Sequence, residues 1–224
     1  MARWRHYKAP EYFSISIARS AQRYIASLVI EEDLFEYPPK TVGGADLSYH
    51  DSYAYASIAV LDFQGMNTLE YVTCKCDVSF PYIPTLLAFR EAGPIIECFE
   101  NLKLKPDILI IDGQGRLHPY RCGLACHVGV ALDIPCIGVA KKKLCGTVSS
   151  EGGERFRYVV DRGEVIGAEV YSKLGVKPIY VSVGHKITLN TAIKIVLDCC
   201  RGHRLPEPIR VAHSIVTRAS KSAK

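Results

Sequence analysis

Three acidic residues, far apart along the chain, stand where a divalent-cation site could form. Asp46 falls within the first predicted strand, Glu91 on a predicted helix, and Asp112 directly after the most apolar predicted strand. Sites in open α/β sheets collect beyond the carboxyl ends of strands, so Asp112 is the first candidate. Converging carboxylates repel one another unless protons or cations neutralise them, and hard oxygen ligands favour Mg²⁺ or Mn²⁺ over zinc. Taken singly, each Asp is more often a cap or a surface charge.

Bound Mg²⁺ suits phosphodiester hydrolysis, because the cation activates water and offsets charge on the attacking and departing oxygens. Basic residues should then lie near the acids. Lys141, Lys142 and Lys143 follow a short predicted strand at its carboxyl end, where one of them could contact the reacting phosphate. A lysine triplet by itself is also typical of a solvated loop.

A glycine-containing loop over 112–124 joins Asp112 to polar donors. Glycine permits positive φ and a close approach of the backbone to a ligand, so amide groups there could read a flat polar edge. The spacing matches neither the phosphate-binding loop nor the dinucleotide fingerprint. Cys122, Cys126 and His127 would need a fourth ligand from elsewhere, which makes zinc a poor interpretation.

The elements that must position these residues begin with an amphipathic helix predicted over 16–29. Its apolar face would consist of Ile17, Ala21, Tyr24, Ile25 and Leu28. Three β-rich runs over 41–48, 53–62 and 69–78, separated by turns, then predict a three-strand meander.

Alternating helices and strands follow the meander. Pro84 could begin a helix that is broken near Gly93-Pro94, and the continuous apolar run 107–111 is typical of a strand covered on both faces. A helix over 124–132 and a short strand over 136–140 complete this part. The alternation predicts parallel βαβ units.

The last third predicts a hairpin over 164–171 and 178–183, a helix over 189–200 capped by Thr188, and a helix over 209–218 with Pro208 in its first turn. We therefore expect an α/β fold in one domain over 1–224. Its mixed sheet would be antiparallel in the three-strand meander and parallel beyond, with helices packed on its faces.

The composition excludes several classes of protein. With 224 residues, 48% hydrophobic and 23% charged, the chain has the make-up of a globular domain and not that of a disordered or collagen-like one. Apolar runs fall far short of the ~20 residues that cross a bilayer, and nothing resembles a signal peptide, so we expect a soluble, cytoplasmic protein. Nine cysteines at irregular spacings predict reduced thiols that fill the core.

The net charge of +5 is concentrated at the ends of the chain. Residues 1–24 carry five Lys and Arg against one Glu, and residues 201–224 carry six against one. Basic ends around an acidic interior could attract a polyanion such as nucleic acid. Solvated tails are the alternative interpretation.

Six blocks of this sequence resemble the signature blocks of the endonuclease V family, the inosine-directed nucleases. They are TVGGADLSYH (41–50), PYIPTLLAFRE (81–91), DGQGRLHPYRCGLACHVGV (112–130), GVAKKKLCG (138–146), VSVGHKITLNTA (181–192) and LPEPIRVAH (205–213). The blocks occur in the family's order and extend over most of the chain.

The resemblance implies a ribonuclease H-like core and a Mg²⁺-dependent cut at the second phosphodiester 3′ to inosine or deoxyinosine, leaving a 3′-hydroxyl and a 5′-phosphate. Such a cut would initiate repair of deaminated adenine. By motif position, Asp46, Glu91 and Asp112 would bind metal, with His213 near the metal and Lys141 beside the phosphate. Without the resemblance, His213 would be interpreted as half-buried, because it shares a helical face with Ile209 and Val216. Mn²⁺ should be able to replace Mg²⁺, and a monomer is favoured.

The resemblance also implies a pocket for an extruded base. Tyr82 matches the family's wedge residue, although a tyrosine bordering the core is the alternative interpretation. Inosine presents O6 as an acceptor and N1–H as a donor. The matching recognition positions are the backbone groups around Thr85, Leu87, Gly113 and Leu124, with His118 near the pocket.

Three positions depart from the family's usual pattern. Thr85 stands where glycine is usual, and its β-branched side chain restricts φ and adds bulk to the pocket. Tyr120 and Cys126 replace the commoner Arg and Ser. The loss of an arginine weakens the case for one phosphate contact but leaves the acids untouched.

Two other functions remain open from the sequence alone. A structure-specific nuclease of the same core would use the acids but not the base pocket. A non-catalytic nucleic-acid-binding domain would need the basic ends but not the acids.

Overall fold

The computed structural model describes residues 14–50, 52–78 and 80–222, in which one mixed sheet is covered by helices on both faces. The strands are β1 (Thr41–His50), β2 (Tyr53–Asp62), β3 (Thr68–Asp77), β4 (Ile108–Asp112), β5 (Cys136–Ala140), β6 (Thr147–Gly153), β7 (Phe156–Asp161), β8 (Glu164–Val170) and β9 (Ile179–His185). The helices are α1 (Ile15–Ser27), α2 (Ala88–Glu100), α3 (Leu124–Leu132), α4 (Leu189–Cys199) and α5 (Glu207–Lys221). Within these ranges, no helix is long and apolar enough to cross a membrane.

The sheet order is β3-β2-β1-β4-β5-β9-β8-β7-β6. The predicted antiparallel meander is confirmed, and β4 and β5 lie parallel to β1. The expectation of parallel strands beyond the meander is confirmed for β4 and β5 and is wrong for the strands that follow them in the sheet. The strand β9 runs antiparallel to β5, and β8, β7 and β6 continue antiparallel, because turns and not helical crossovers connect β6 to β9. The predicted hairpin of β8 and β9 is present, whereas β6 and β7 were not predicted.

The two faces of the sheet bury separate apolar clusters, and β4 contributes to both. Ile108 and Ile110 pack in the cluster that includes residues of α4 and α5, whereas Leu109 and Ile111 pack in the cluster that includes residues of α2 and α3. All four side chains are fully buried, each stabilising the fold by roughly 1.5–3 kcal/mol. The prediction of a central strand covered on both faces is therefore confirmed, and it fixes where Asp112 emerges.

The cysteines behave as the sequence predicts. All nine are free thiols, and seven of them are buried. Burial is the largest cause that raises the pKa of the Cys200 thiol to about 12, so this thiol stays protonated near neutral pH.

The helix α1 is present, but its predicted apolar face is wrong. Ile17 and Tyr24 are 68% and 66% exposed, and the buried residues are Ala18 and Gln22. The reason is that α1 docks through polar contacts, in which the Gln22 amide donates to backbone carbonyls of two loops, one of them at Cys122. These polar contacts, and not the apolar residues of α1, therefore determine which face of the helix packs against the protein.

The helix α2 also differs from the prediction. It begins at Ala88 and not at Pro84, because Thr85 has a φ of +68°, which no α-helix accommodates. No break occurs at Gly93-Pro94: Pro94 is buried inside the continuous helix, where its missing N–H removes a single helical bond.

The helix α3 has the predicted bounds, and Thr188 caps α4 by accepting from the Thr191 amide at 3.3 Å.

The helix α5 lies directly against β1 at a glycine. A Cβ atom on Gly44 would stand 2.1 Å from the carbonyl group of Pro208, so only glycine permits this approach. The helix begins at Glu207 with Pro208 in its first turn, as predicted, and continues to Lys221. The contact at Gly44 therefore sets the distance from which His213 on α5 faces Asp46 on β1.

We expect Gly44→Ala to lower the free energy of unfolding by about 2 kcal/mol or more, because the added methyl group must push α5 away from β1. Chemical denaturation measures this change. Gly93→Ala is the control, since that glycine is exposed on α2 and an added methyl group would have nothing within 4 Å, and it should raise stability by about 0.5–1 kcal/mol. Equal stabilities of the two variants would contradict the assigned contact.

Candidate active site

The three predicted acids come from three separate elements and lie at one edge of the sheet. Asp46 is on β1, Asp112 ends β4, and Glu91 is in the first turn of α2. The parallel register pairs Ala45 with Ile111, so the next residues, Asp46 and Asp112, stand side by side. Glu91 feels the negative charges of both aspartates, which places all three carboxyl groups in one cluster.

Each acid already has a partner from within the chain. His213 Nδ1 lies 2.6 Å from Asp46 Oδ2, and Lys141 Nζ donates to Asp112 Oδ2 at 2.6 Å. The Tyr49 hydroxyl donates to Glu91 Oε1 at 2.9 Å. The alternative of isolated surface charges is therefore wrong for these acids, since each is held in a polar network.

His213 and the lysines can now be located. His213 projects from α5 with 59% of its side chain exposed, so the half-buried interpretation is wrong even though Ile209 and Val216 are buried. Among the three lysines, Lys141 contacts an acid, whereas Lys143 Nζ donates to the Gly146 carbonyl at 2.6 Å.

Burial and the neighbouring acidic charges raise the pKa values of Asp46 and Glu91. Burial is the largest cause that raises the pKa of Asp46, the charge of Asp112 adds to it, and the hydrogen bond with His213 partly opposes it. Burial likewise raises the pKa of Glu91 to about 7, while the Tyr49 hydrogen bond and the Arg90 charge oppose the rise, and the charges of Asp46 and Asp112 add to it. Burial and the nearby Glu91 also raise the pKa of Tyr49, which keeps its hydroxyl a donor.

The donor chemistry of the cluster fits a hard divalent cation. Carboxylate oxygens are the ligands that Mg²⁺ and Mn²⁺ prefer, and a cation would relieve the repulsion that raises the pKa values. Within the described ranges, no group of three acidic, histidine or cysteine side chains already has the arrangement of a metal centre. Lys141 and His213 occupy oxygens of Asp112 and Asp46, so a cation would have to displace or share these partners.

A pocket of about 220 Å³ adjoins the acids. Its wall is formed by Gln22, Tyr82, Pro84, Thr85, Leu87, Ala88, Glu91, Asp112, Gly113, Gln114, His118, Cys122, Gly123, Leu124, Ala140 and Leu144. All six residues predicted to bind a base belong to this wall, and Glu91 and Asp112 belong to both the pocket and the acidic cluster. A molecule held there lies next to the carboxylates.

Some backbone groups in the pocket wall already form hydrogen bonds with other groups of the protein. The Gly113 amide donates to the Val139 carbonyl at 3.0 Å, and the Leu87 carbonyl accepts from Arg90 and Glu91 in the first turn of α2. In the described part of the chain, we find no backbone acceptor for the amides of Leu87 and Leu124. These two amides are therefore candidates for binding a base, among the predicted recognition groups.

His118 and Tyr82 contribute two different kinds of surface to the pocket. His118 is buried, and burial, followed by the charge of Arg19, lowers its pKa to about 4, so the ring is neutral near pH 7. Its Nδ1 accepts from the Tyr120 amide at 3.1 Å, which leaves Nε2 as the protonated nitrogen. Tyr82 is 63% exposed, so it stands at the rim and does not border the core.

Thr85 adopts a backbone conformation that explains why glycine would be preferred there. Its φ of +68° lies in the left-handed region, which costs a non-glycine residue roughly 1–3 kcal/mol. Its carbonyl accepts from the Gln22 side chain at 2.9 Å. The contribution of Gln22 was missed from the sequence, because the apolar pattern of α1 indicated the opposite face.

We expect ionisation of Glu91 to reduce stability in the absence of divalent cations. At a pH below the ordinary glutamate pKa of 4.5, Glu91 is protonated in both the folded and the unfolded chain. Between that pH and about 7, Glu91 is protonated only in the folded chain. The free energy of unfolding therefore falls as the pH rises through this range, and it levels off above it. In EDTA, the melting temperature of Glu91→Gln should therefore rise increasingly above that of the wild type as the pH increases between these values. Glu100→Gln, at the exposed end of α2, is the control, and an equal divergence there would contradict the assignment.

Comparison with known proteins gives a consistent result. The family model described as Endonuclease V matches residues 23–214. An endonuclease V from Thermofilum pendens is 46% identical over 215 residues, covering 95% of this chain and 92% of the relative.

Solved structures agree in fold as well as in sequence. The crystal structure of the endonuclease V from Streptomyces avermitilis superposes with a TM-score of 0.87 at 34% identity, covering 98% of this chain and 96% of the other. The endonuclease V from Ciona intestinalis, crystallised in complex with a 24mer DNA containing an inosine followed by a ribo-adenosine, has a TM-score of 0.85 at 32% identity, covering 94% and 99%. The expectation of a ribonuclease H-like fold is confirmed by these neighbours.

Proposed function

Because this chain belongs to the endonuclease V family, a family of nucleases, we propose that it cleaves nucleic acid at inosine or deoxyinosine in a reaction that requires Mg²⁺. The bond broken is the second phosphodiester on the 3′ side of that nucleoside, and the products carry a 3′-hydroxyl and a 5′-phosphate. Such a cut initiates repair of deaminated adenine. The observation that carries the proposal is the shared wall: Glu91 and Asp112 belong both to the acidic cluster and to the pocket.

The acidic cluster is the metal site of this proposal. Asp46 and Asp112 would hold Mg²⁺, with Glu91 supporting a ligand or a second ion, and Mn²⁺ would be able to take its place. When bound, the metal activates water and offsets charge that develops on the reacting oxygens. The burial and mutual repulsion that raise the pKa values of Asp46 and Glu91 support a cation at this place.

The basic side chains have separate roles in the proposed reaction. His213 fixes the orientation of Asp46 through Nδ1, and its exposed ring can orient the attacking water from the solvent side. Lys141 is 45% exposed and exchanges its contact with Asp112 for the reacting phosphate. A single ammonium group thus neutralises the acid before substrate arrives and the phosphate afterwards.

The pocket recognises the extruded base by its polar edge. The amides of Leu87 and Leu124 donate to O6 of inosine, where adenosine presents an amino group that cannot accept. His118, which is neutral, adds a polar group without placing a charge against the base. The exposed ring of Tyr82 fills the gap that the extruded base leaves in the stack.

We expect the purified protein with Mg²⁺ to nick an inosine-containing oligonucleotide and to leave the matched adenosine strand intact. Asp46→Asn and Asp112→Asn should lower the rate by about 10²–10³-fold or more, because each removes a charge that the reaction requires. Product mapping on a sequencing gel locates the cut and its end groups. Asp198→Asn, at an exposed position of α4, is the control.

Two outcomes of that experiment would contradict the proposal. A folded wild-type protein that does not cut the inosine strand removes the inosine assignment. Equal cutting of the inosine and adenosine strands supports instead a structure-specific nuclease of the same core. The same assay on paired DNA and RNA strands of identical sequence determines which of the two is preferred, since the 2′-hydroxyl distinguishes them.

A further inference from the structure

Arg19, on the helix α1, is bonded to the segment that forms one wall of the pocket. Its Nη1 donates to the Thr85 carbonyl at 3.0 Å, and its Nη2 donates to Thr85 Oγ1 at 2.5 Å and to the Pro84 carbonyl at 3.3 Å. One guanidinium group therefore holds both the backbone and the side chain of Thr85. These bonds join residues that are 65 and 66 positions apart in the chain.

Gln22, one helical turn further along α1, completes the same network. Its side chain is fully buried, and its amide nitrogen donates to the carbonyls of Thr85 and Cys122 at 2.9 Å each. Its amide oxygen accepts from Arg19 Nη1 at 2.8 Å. Buried polar groups persist only when their partners are present, so this arrangement is specific and not incidental.

Arg19 also contacts the second position at which this chain departs from the family's pattern. Its guanidinium lies 4.2 Å from the centre of the Tyr120 ring, a cation–π contact. Thr85 stands where glycine is usual and Tyr120 where arginine is commoner, and a single arginine from α1 serves both. Arg19 and Gln22 precede residue 23, where the family model begins to match.

We propose that Arg19 and Gln22 are positioning residues that hold Thr85 in its left-handed conformation and thereby determine the specificity of the base pocket. This inference rests on the proposed function. Glycine adopts a positive φ without support, whereas threonine needs the bonds that Arg19 makes to its hydroxyl and carbonyl groups. The conformation of Thr85 therefore depends on the bonds that Arg19 makes to it.

The network has a consequence for the choice of base. The Thr85 carbonyl is an acceptor in the pocket wall, and adenosine, unlike inosine, presents an amino donor at position 6. Because Arg19 and Gln22 both donate to this carbonyl, it is not offered to that amino group. Loss of Arg19 would remove one of these two donors and free one lone pair of the carbonyl oxygen, which would weaken the discrimination against adenosine.

Steady-state kinetics of Arg19→Ala on inosine and adenosine strands test this inference. We expect KM for the inosine strand to rise about tenfold, kcat to change little, and the inosine-to-adenosine ratio of kcat/KM to fall about tenfold. Arg23→Ala removes the same charge from α1 near Tyr120 and should change these quantities by less than about twofold. Adding Thr85→Gly to Arg19→Ala should restore KM, because glycine keeps the conformation unaided.

Amide hydrogen exchange in the metal-free protein gives a readout that does not depend on activity. The Leu86 amide donates to the Ile83 carbonyl at 2.9 Å, and Arg19→Ala should accelerate its exchange about tenfold while Arg23→Ala leaves it unchanged. Unchanged exchange overturns the inference whatever the activity. Unchanged KM and base ratio in Arg19→Ala, with a wild type that cuts inosine strands, overturn the inference alone. Failure of the wild type to cut inosine strands overturns the proposed function, and the exchange result then decides the positioning role.

Discussion

The arrangement of the whole molecule depends on the repulsion among Asp46, Glu91 and Asp112. Three carboxyl groups that share one partly buried place are unstable unless positive charge or protons accompany them. The chain places a basic side chain against each aspartate: Lys141, which follows β5, bonds Asp112, and His213 on α5 bonds Asp46. These groups meet because three features of the fold bring them together. They are two neighbouring parallel strands, a helix over each face of the sheet, and the glycine contact between α5 and β1.

Much of the fold is predictable because local patterns specify it. The apolar run of β4 and the alternation of α3 and β5 carry their bounds in the sequence, and Thr188 marks the start of α4. The strand β6 escapes prediction because its run TVSSEGG is polar and largely exposed, so no alternation of apolar residues marks it. The strand β7, FRYVVD, was missed although its residues are typical of a strand. The docking face of α1 escapes for a related reason: hydrogen bonds to distant loops, and not its apolar residues, select it.

The site divides in the same way. The acids, Lys141 and the base-pocket residues could be named from the motifs, and the structure brings them to one edge of the sheet. The left-handed backbone of Thr85 could not be predicted, because a β-branched residue gives no local indication of a positive φ. Arg19 and Gln22 carry no local signal either, since their importance lies in bonds to residues more than sixty positions away.

In this structure, Lys141 is the counterion of Asp112. One ammonium group cannot contact the aspartate and a phosphate at the same time, so in the proposed reaction a divalent cation that bound Asp112 would release the lysine for the substrate. Under the proposed function, metal and nucleic acid would then strengthen each other's binding by the same factor, as linkage between two equilibria requires. The proposed reaction would therefore require the cation to be in place before the protein held its polyanionic ligand tightly.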